Sequence, residues 1–196
     1  MFLLKNKKML NKLSEISTYY NLGHEFGGTD KESYHKYCST FYDKEFLKYK
    51  EKPISLFEIG VLKFGSLIMW DHYFRHMDAK IYGVDIMQYE NISKIEKLNR
   101  VKFLIGNAYD QSFVNTLPNF DIIIDDGPHT KESQINFLKL YLPKLNEGGT
   151  LIIEDVQNLE YITEYGKMIS YPLFPTIVDI RHISGIKDSI LFIIRK

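Results

Sequence analysis

From about Pro53 onward, short aliphatic runs alternate with segments whose apolar residues recur every three or four positions. "ISLFEIG", "AKIYGVDI", "VKFLIGNA", "FDIIIDD" and "TLIIED" predict five strands. Between them, "GSLIMWDHYFRH" has helical spacing, with Leu67, Trp70 and Phe74 on one face. "NISKIEKLN" and "QSFVNTLP" predict short helices. "TKESQINFLKLYLPKL" predicts a longer one, with Ile135, Leu138, Leu142 and Leu145 inward and "NEGG" as its stop. "LEYITEYGKMI" predicts another helix, and "TIVDIRH" and "SILFIIRK" an antiparallel pair joined by "ISGIKD". The near-continuous aliphatic run of "FDIIIDD" suits a strand covered on both faces. Before Pro53 there is no clear strand. "KNKKMLNKLSEISTYY" and "ESYHKYCSTFYDKEFLKYK" read as helices around a glycine-marked loop, "NLGHEFGGTDK".

This order predicts an α/β fold: a Rossmann-like, doubly wound, mostly parallel seven-stranded sheet with a C-terminal antiparallel hairpin. A helical segment over residues 1–52 would precede the core over 53–196, in one compact domain. The length, 196 residues, suits one sizeable core. The 25 basic and 25 acidic residues balance, which argues against a broad nucleic-acid footprint and leaves a small anionic ligand open. Cys38 is the lone cysteine, so no intramolecular disulfide forms and a reducing, cytoplasmic setting is expected. "MFLLKNKKML" is too short and too broken by lysine for a signal segment or a membrane span, so no stable insertion is expected. A docked first helix is the plainer reading; the basic, mildly amphipathic "FLLKNKKMLNKL" keeps a peripheral membrane role in view.

In open parallel sheets ligands bind beyond the carboxyl ends of the strands. Polar residues mark five successive strand ends here: Glu58 with Gly60, Asp85, Asn107, Asp125 with Asp126, and Glu154 with Asp155. Gly60 and Gly65, followed by Ser66, let backbone approach a ligand at a strand-to-helix turn. The spacing is not G-x-G-x-x-G, which disfavours an NAD-dependent oxidoreductase. Asp85, about 25 residues beyond the glycine loop, is placed to accept from ribose hydroxyls. Asn107 and Ala108 would flank an adenine. Either acidic pair alone reads as ordinary strand-end polarity or helix capping. Both pairs together, with His129 between them, read as a site for a hard, oxygen-preferring cation.

These pieces resemble class I S-adenosylmethionine-dependent methyltransferases. More narrowly, the chain is similar to the metal-dependent O-methyltransferases that act on sugar hydroxyls in macrolide tailoring, and to the related cephalosporin-hydroxylase-type family. "GTDK" with "YHKY", "FEIGVLKFGSLIMW", "KIYGVDI", "FDIIIDDGPHT" and "GGTLIIEDVQ" carry the resemblance, from Gly27 to Gln157. Pro128 stands where a serine is usual and Phe64 where a second glycine is usual. The resemblance implies that Glu58, Gly60 and Asp85 hold the cofactor, with Asp125 beside them, and that Asp126, Glu154 and Asp155 bind Mg2+. It implies that His129 is the general base, with Asp126 as its catalytic companion. Thr29, Lys31 and Tyr34 would belong to a segment closing over the cofactor. The acceptor would be a sugar, nucleotide sugar or glycan, and a homo-oligomer is compatible with the pattern. A non-catalytic nucleotide- or cofactor-binding module on the same fold is the alternative.

Overall fold

The computed structural model describes residues 10–26 and 28–196. Residues 1–9, which include most of the basic amphipathic stretch, and Gly27, where the resemblance begins, lie outside the described residues. Seven strands form one sheet in the order β3-β2-β1-β4-β5-β7-β6. They are β1 (Ser55–Ile59), β2 (Lys80–Asp85), β3 (Val101–Ile105), β4 (Phe120–Asp125), β5 (Leu145–Ile153), β6 (Pro175–Asp179) and β7 (Ile190–Arg195). The first five are parallel; β7 runs antiparallel between β5 and β6. The chain winds outward from β1 to β3, then returns to place β4 on the other side of β1. That reversal is the topological switch point, and it puts the ends of β1, β2, β4 and β5 side by side.

The α-helices are α1 (Leu13–Tyr19), α2 (Asp43–Glu45), α3 (Gly65–Tyr73), α4 (Gln111–Asn115), α5 (Lys131–Tyr141), α6 (Leu159–Gly166) and α7 (Arg181–Ser184). Two apolar clusters cover the sheet. One packs Tyr42, Phe46, Leu67 and Trp70 against Leu56 and Ile152; the other packs Phe137 and Tyr141 against Phe57 and Ile123. Among the described residues no helix is long and apolar enough to cross a membrane.

Several details differ from the sequence pattern; "TIVDIRH", for one, ends as a strand at Asp179, and Arg181–Ser184 forms α7. The buried face of α5 is Gln134, Phe137, Leu138 and Tyr141, while Ile135 and Leu142 are half-buried. Pro143 lies in a short 3-10 turn after Tyr141, where a proline ring and its missing N–H end the α-helix. "NEGG" therefore belongs to β5: Leu145 pairs with Phe120, and a register shift follows. The stretch predicted as one helix after Glu32 becomes turns, a π turn over Cys38–Tyr42, α2 and a 3-10 turn over Phe46–Tyr49. Lys36, with φ 65°, takes the left-handed conformation that interrupts a helix.

Candidate active site at the switch point

The sheet's hydrogen bonding continues one residue past the strand ends. Gly60 N–H donates to Val84 O, Asp126 N–H to Ile59 O and Glu154 N–H to Asp125 O, each at 3.0 Å. This fixes the three strand-end loops against one another. Gly60 has φ 79°, and a Cβ there would lie 1.9 Å from the Asp126 carbonyl oxygen. Gly60→Ala combines that clash with a left-handed backbone. It should cost about 2–4 kcal/mol of stability, measured by urea denaturation; wild-type stability would contradict the close approach. Phe64 also adopts a left-handed φ, 69°, the conformation that a glycine takes freely. Full burial against Tyr89 and Phe103 accompanies it there.

A cavity of about 350 Å³ opens at these loops. Ile59, Val61, Val84 and Ala108 give it apolar walls, with Gly60, Ser66 and Asp85 on one side and Asp126–His129 on another. Thr29 and its neighbours Gly28 and Asp30 also line it. They reach it because Gly65 has no side chain: a Cβ there would meet the Thr29 nitrogen at 2.5 Å and Gly28 at 2.7 Å. The Asp85 carboxylate accepts from Leu62 N–H and Met87 N–H at 3.3 Å and from the Tyr89 hydroxyl at 3.2 Å. It is thus held in place at the cavity edge.

Besides Gly65, five residues expected near the cofactor are not among those lining the cavity. Asn107 is exposed and accepts from Tyr109 N–H, while its neighbours Gly106 and Ala108 line the cavity. Tyr34 is half-exposed against His24 and His35. Asp125 is buried and accepts from the Tyr109 hydroxyl at 2.5 Å. Burial pushes its carboxyl up to about 7. Glu58 is fully buried and accepts from the Trp70 indole at 2.8 Å. Lys31 is fully buried beside the acidic cluster.

That cluster joins four strand-end residues. Lys31 Nζ lies 2.6 Å from Asp126 Oδ2, 2.5 Å from Glu154 Oε2 and 3.1 Å from Glu58 Oε1. Burial opposes the ammonium's charge, but Asp126, Glu154 and Glu58 together hold its pKa well above the ordinary lysine value. Beyond it, Asp126 Oδ1, His129 Nε2 and Asp155 Oδ2 face one another, with the imidazole 3.7 Å from the first oxygen and 3.8 Å from the second. Asp155 and His129 both have left-handed backbones, φ 53° and 58°. Consecutive residues here still take different partners: Glu154 meets Lys31 and Tyr42, while Asp155, on its left-handed backbone, meets Tyr37 and faces His129. Burial and then the Glu154 charge raise the Asp155 carboxyl to about 8. Burial, then Lys31, lowers the His129 pKa.

Several contributors carry no local signal in the sequence. Tyr37 donates to Asp155 Oδ1 at 2.7 Å, and Tyr42 donates to Glu154 Oε1. Gln134 donates to the Glu154 carbonyl and accepts from Tyr165. His24, an exposed residue, also lines the cavity. Tyr37, Tyr42, Phe46 and Tyr49 are buried in the packing of this region, and Tyr37 and Tyr42 also hold the carboxylates.

A family model described as a methyltransferase domain matches residues 57–156. The 8-demethyl-8-alpha-L-rhamnosyl tetracenomycin-C 2'-O-methyltransferase of Streptomyces olivaceus is 30% identical over 141 residues, covering 66% of this chain and 35% of its own. Mycinamicin VI 2''-O-methyltransferase of Micromonospora griseorubida is 29% identical over 155 residues, covering 74% and 36%. The chain therefore spans little more than a third of these relatives' length. The solved structure of MycE methyltransferase from the mycinamycin biosynthetic pathway, in complex with Mg, SAH and mycinamycin VI, matches with a TM-score of 0.61 at 31% identity. That match covers 74% of this chain and 39% of that one. The O-methyltransferase from Bacillus cereus in complex with SAH shares the fold, with a TM-score of 0.66 at 16% identity, over 99% of this chain and 93% of its own.

Proposed function

The chain belongs to the methyltransferase-domain family, whose model spans residues 57–156, and on that premise we propose that it transfers the methyl group of S-adenosylmethionine to a hydroxyl of a sugar or glycan. A divalent cation, Mg2+ by expectation, would be held by Asp126, Glu154 and Asp155. One observation carries the reading: a cavity edged by Asp85 at one side ends, at the other, on Asp126 and His129, with Asp155 from the end of β5 3.8 Å from the imidazole.

The residues suit both groups. The cavity's volume and apolar walls fit a nucleoside-sized ligand, and Asp85 offers the acceptor that ribose hydroxyls need. For the cation, Asp126 and Glu154 already direct oxygens at one positive charge, the Lys31 ammonium, at 2.6 and 2.5 Å. Carboxylate oxygens from two adjacent strand ends are the donors a hard cation takes. When bound, the cofactor supplies an electrophilic methyl group and the cation makes a nearby hydroxyl more acidic.

The rest belongs to the chain. Asp85 and the Gly60 loop bind and orient the nucleoside end. Asp126 Oδ1 and Asp155 Oδ2 place carboxyl oxygens on both sides of the His129 imidazole. His129 Nε2 takes the acceptor proton. Its depressed pKa leaves that nitrogen free to accept at neutral pH. Thr29 and Asp30 close one wall of the cavity.

Asp85→Ala should weaken S-adenosylhomocysteine binding by about tenfold or more, since a hydrogen bond to a charged group is worth roughly 1.5–3 kcal/mol. Calorimetric titration measures it, and an unchanged Kd would remove Asp85 from the cofactor site. The function itself is tested with methyl-labelled S-adenosylmethionine and a panel of free sugars, nucleotide sugars and glycans, with Mg2+ and with EDTA. Label should move to a saccharide with Mg2+ and stay on the donor in EDTA. Tight cofactor binding with no transfer to any member of the panel would instead support the binding-module reading.

A further inference from the structure

Lys31 deserves a role beyond filling space, because of where its charge sits. Its ammonium is completely buried and touches carboxylate oxygens from three strand ends: Glu58 on β1, Asp126 after β4 and Glu154 after β5. Converging oxygens from separate segments around one positive centre resemble a coordination shell more than a surface ion pair. Two of the three, Asp126 and Glu154, are residues assigned above to the divalent cation. With Lys31 in this position, Asp126 Oδ1 and Asp155 Oδ2, the oxygens that face His129, are left for an ion, while Asp126 Oδ2 and Glu154 Oε2 are engaged. Glu154 Oε1 is engaged as well, by Tyr42. Two positive charges would also lie within a few ångströms of each other in a site shielded from water.

Lys31 is connected to the cavity. It directly follows Thr29 and Asp30, which line the cavity wall, and Gly28 packs on Gly65 just before them. Further along, Tyr37 and Tyr42 are bonded to Asp155 and Glu154. The segment from Gly28 to Tyr42 is thus tied to the sheet in part through the same carboxylates, beside the contacts of His35 with Ser189 and of Tyr37 with the Asp188 carbonyl.

We propose that Lys31 is an internal competitor for the divalent cation: the ammonium and the ion exchange at Asp126 and Glu154, and the exchange shifts the neighbouring residues 28–30, which wall the cavity. This rests on the assignment of Asp126, Glu154 and Asp155 as cation ligands. It predicts that the centre binds a divalent ion more weakly than its carboxylates alone would.

The test uses the full chain and Mn2+ as the probe, with free Mn2+ followed by electron paramagnetic resonance. Lys31→Met should bind Mn2+ at least tenfold more tightly than wild type, and its melting temperature should rise more steeply with Mn2+. In the wild-type chain, acylation of Lys31 by a small N-hydroxysuccinimide ester, mapped by mass spectrometry, should be negligible without Mn2+ and increase severalfold at saturation. Lys31→Met binding Mn2+ equally or more weakly would overturn the proposal, because Lys31 would then be holding ligands in place. So would a Lys31 that stays protected while Mn2+ saturates the wild-type chain. If Lys31→Met folds neither with nor without Mn2+, Lys31→Gln replaces it and the wild-type acylation pattern stands as the independent arm. Absence of Mn2+ binding in wild type and variant alike also overturns it. Failure of the underlying ligand assignment looks different: Asp126→Asn would then bind Mn2+ as tightly as wild type.

Discussion

Asp126→Asn is expected to lower methyl transfer on the order of a thousandfold, the size of losing several kcal/mol of charge stabilisation at a cation site. The substitution keeps the volume of the side chain and removes one negative oxygen. In the native site that carboxylate is divided: Oδ2 meets Lys31 at 2.6 Å, and Oδ1 faces His129 Nε2 at 3.7 Å. An amide cannot serve both directions as an anion. Lys31 keeps Glu58 and Glu154, so the fold should persist. Mn2+ affinity should fall about a hundredfold, while S-adenosylhomocysteine affinity stays within a few fold because Asp85 and the Gly60 loop are untouched. Single-turnover assays, Mn2+ titration and calorimetry measure the three quantities. An Asp126→Asn enzyme that retains full turnover in EDTA would show that the carboxylates serve another purpose.

His129→Ala should reduce turnover by roughly a hundredfold to ten-thousandfold, the range for removing a general base. The imidazole lies between Asp126 Oδ1 and Asp155 Oδ2 and lines the cavity. Its Nδ1 is buried without a hydrogen-bond partner. The folded-state pKa lies below the ordinary value of 6.5, because burial and Lys31 both disfavour the cation. A base works when deprotonated, so activity should rise as pH increases through that depressed value and level off by neutrality. His129→Ala should lose that acidic limb together with the rate, while cofactor affinity stays nearly intact. Unchanged turnover, or an unchanged limb, would take His129 out of the reaction.

Much of the fold was legible because it is written locally. Aliphatic runs separated by helical periodicity gave β1 to β5, and the antiparallel pair at the end was readable from two β-rich stretches close in sequence. The end of α5 was harder. Leu142 and Leu145 continue the helical spacing, yet Pro143 ends the α-helix and Leu145 starts β5, so the buried face moves to Gln134, Phe137, Leu138 and Tyr141.

The candidate site was legible where chemistry concentrates at strand ends. Gly60, Ser66, Asp85, Ala108, Asp126 and His129 line the cavity, and Asp126, His129 and Asp155 bring donor atoms within 4.8 Å of one another. What sequence spacing cannot express is pairing across long separations. Lys31 is 95 residues from Asp126 and 123 from Glu154, and its positive charge gives no sign that it will be buried among carboxylates. Tyr37 and Tyr42 look like ordinary aromatic packing until their hydroxyls are seen on Asp155 and Glu154. The left-handed backbones of His129 and Asp155 are likewise invisible in residue type, since neither is glycine.

The most direct measurement is a crystal structure with S-adenosylhomocysteine and Mn2+, using anomalous scattering to locate the metal. One strong anomalous peak is expected, bounded by Asp126, Glu154 and Asp155, with the ribose of the cofactor on Asp85. A full-occupancy cofactor with no anomalous density at those carboxylates, or a ribose placed away from Asp85, would contradict that placement.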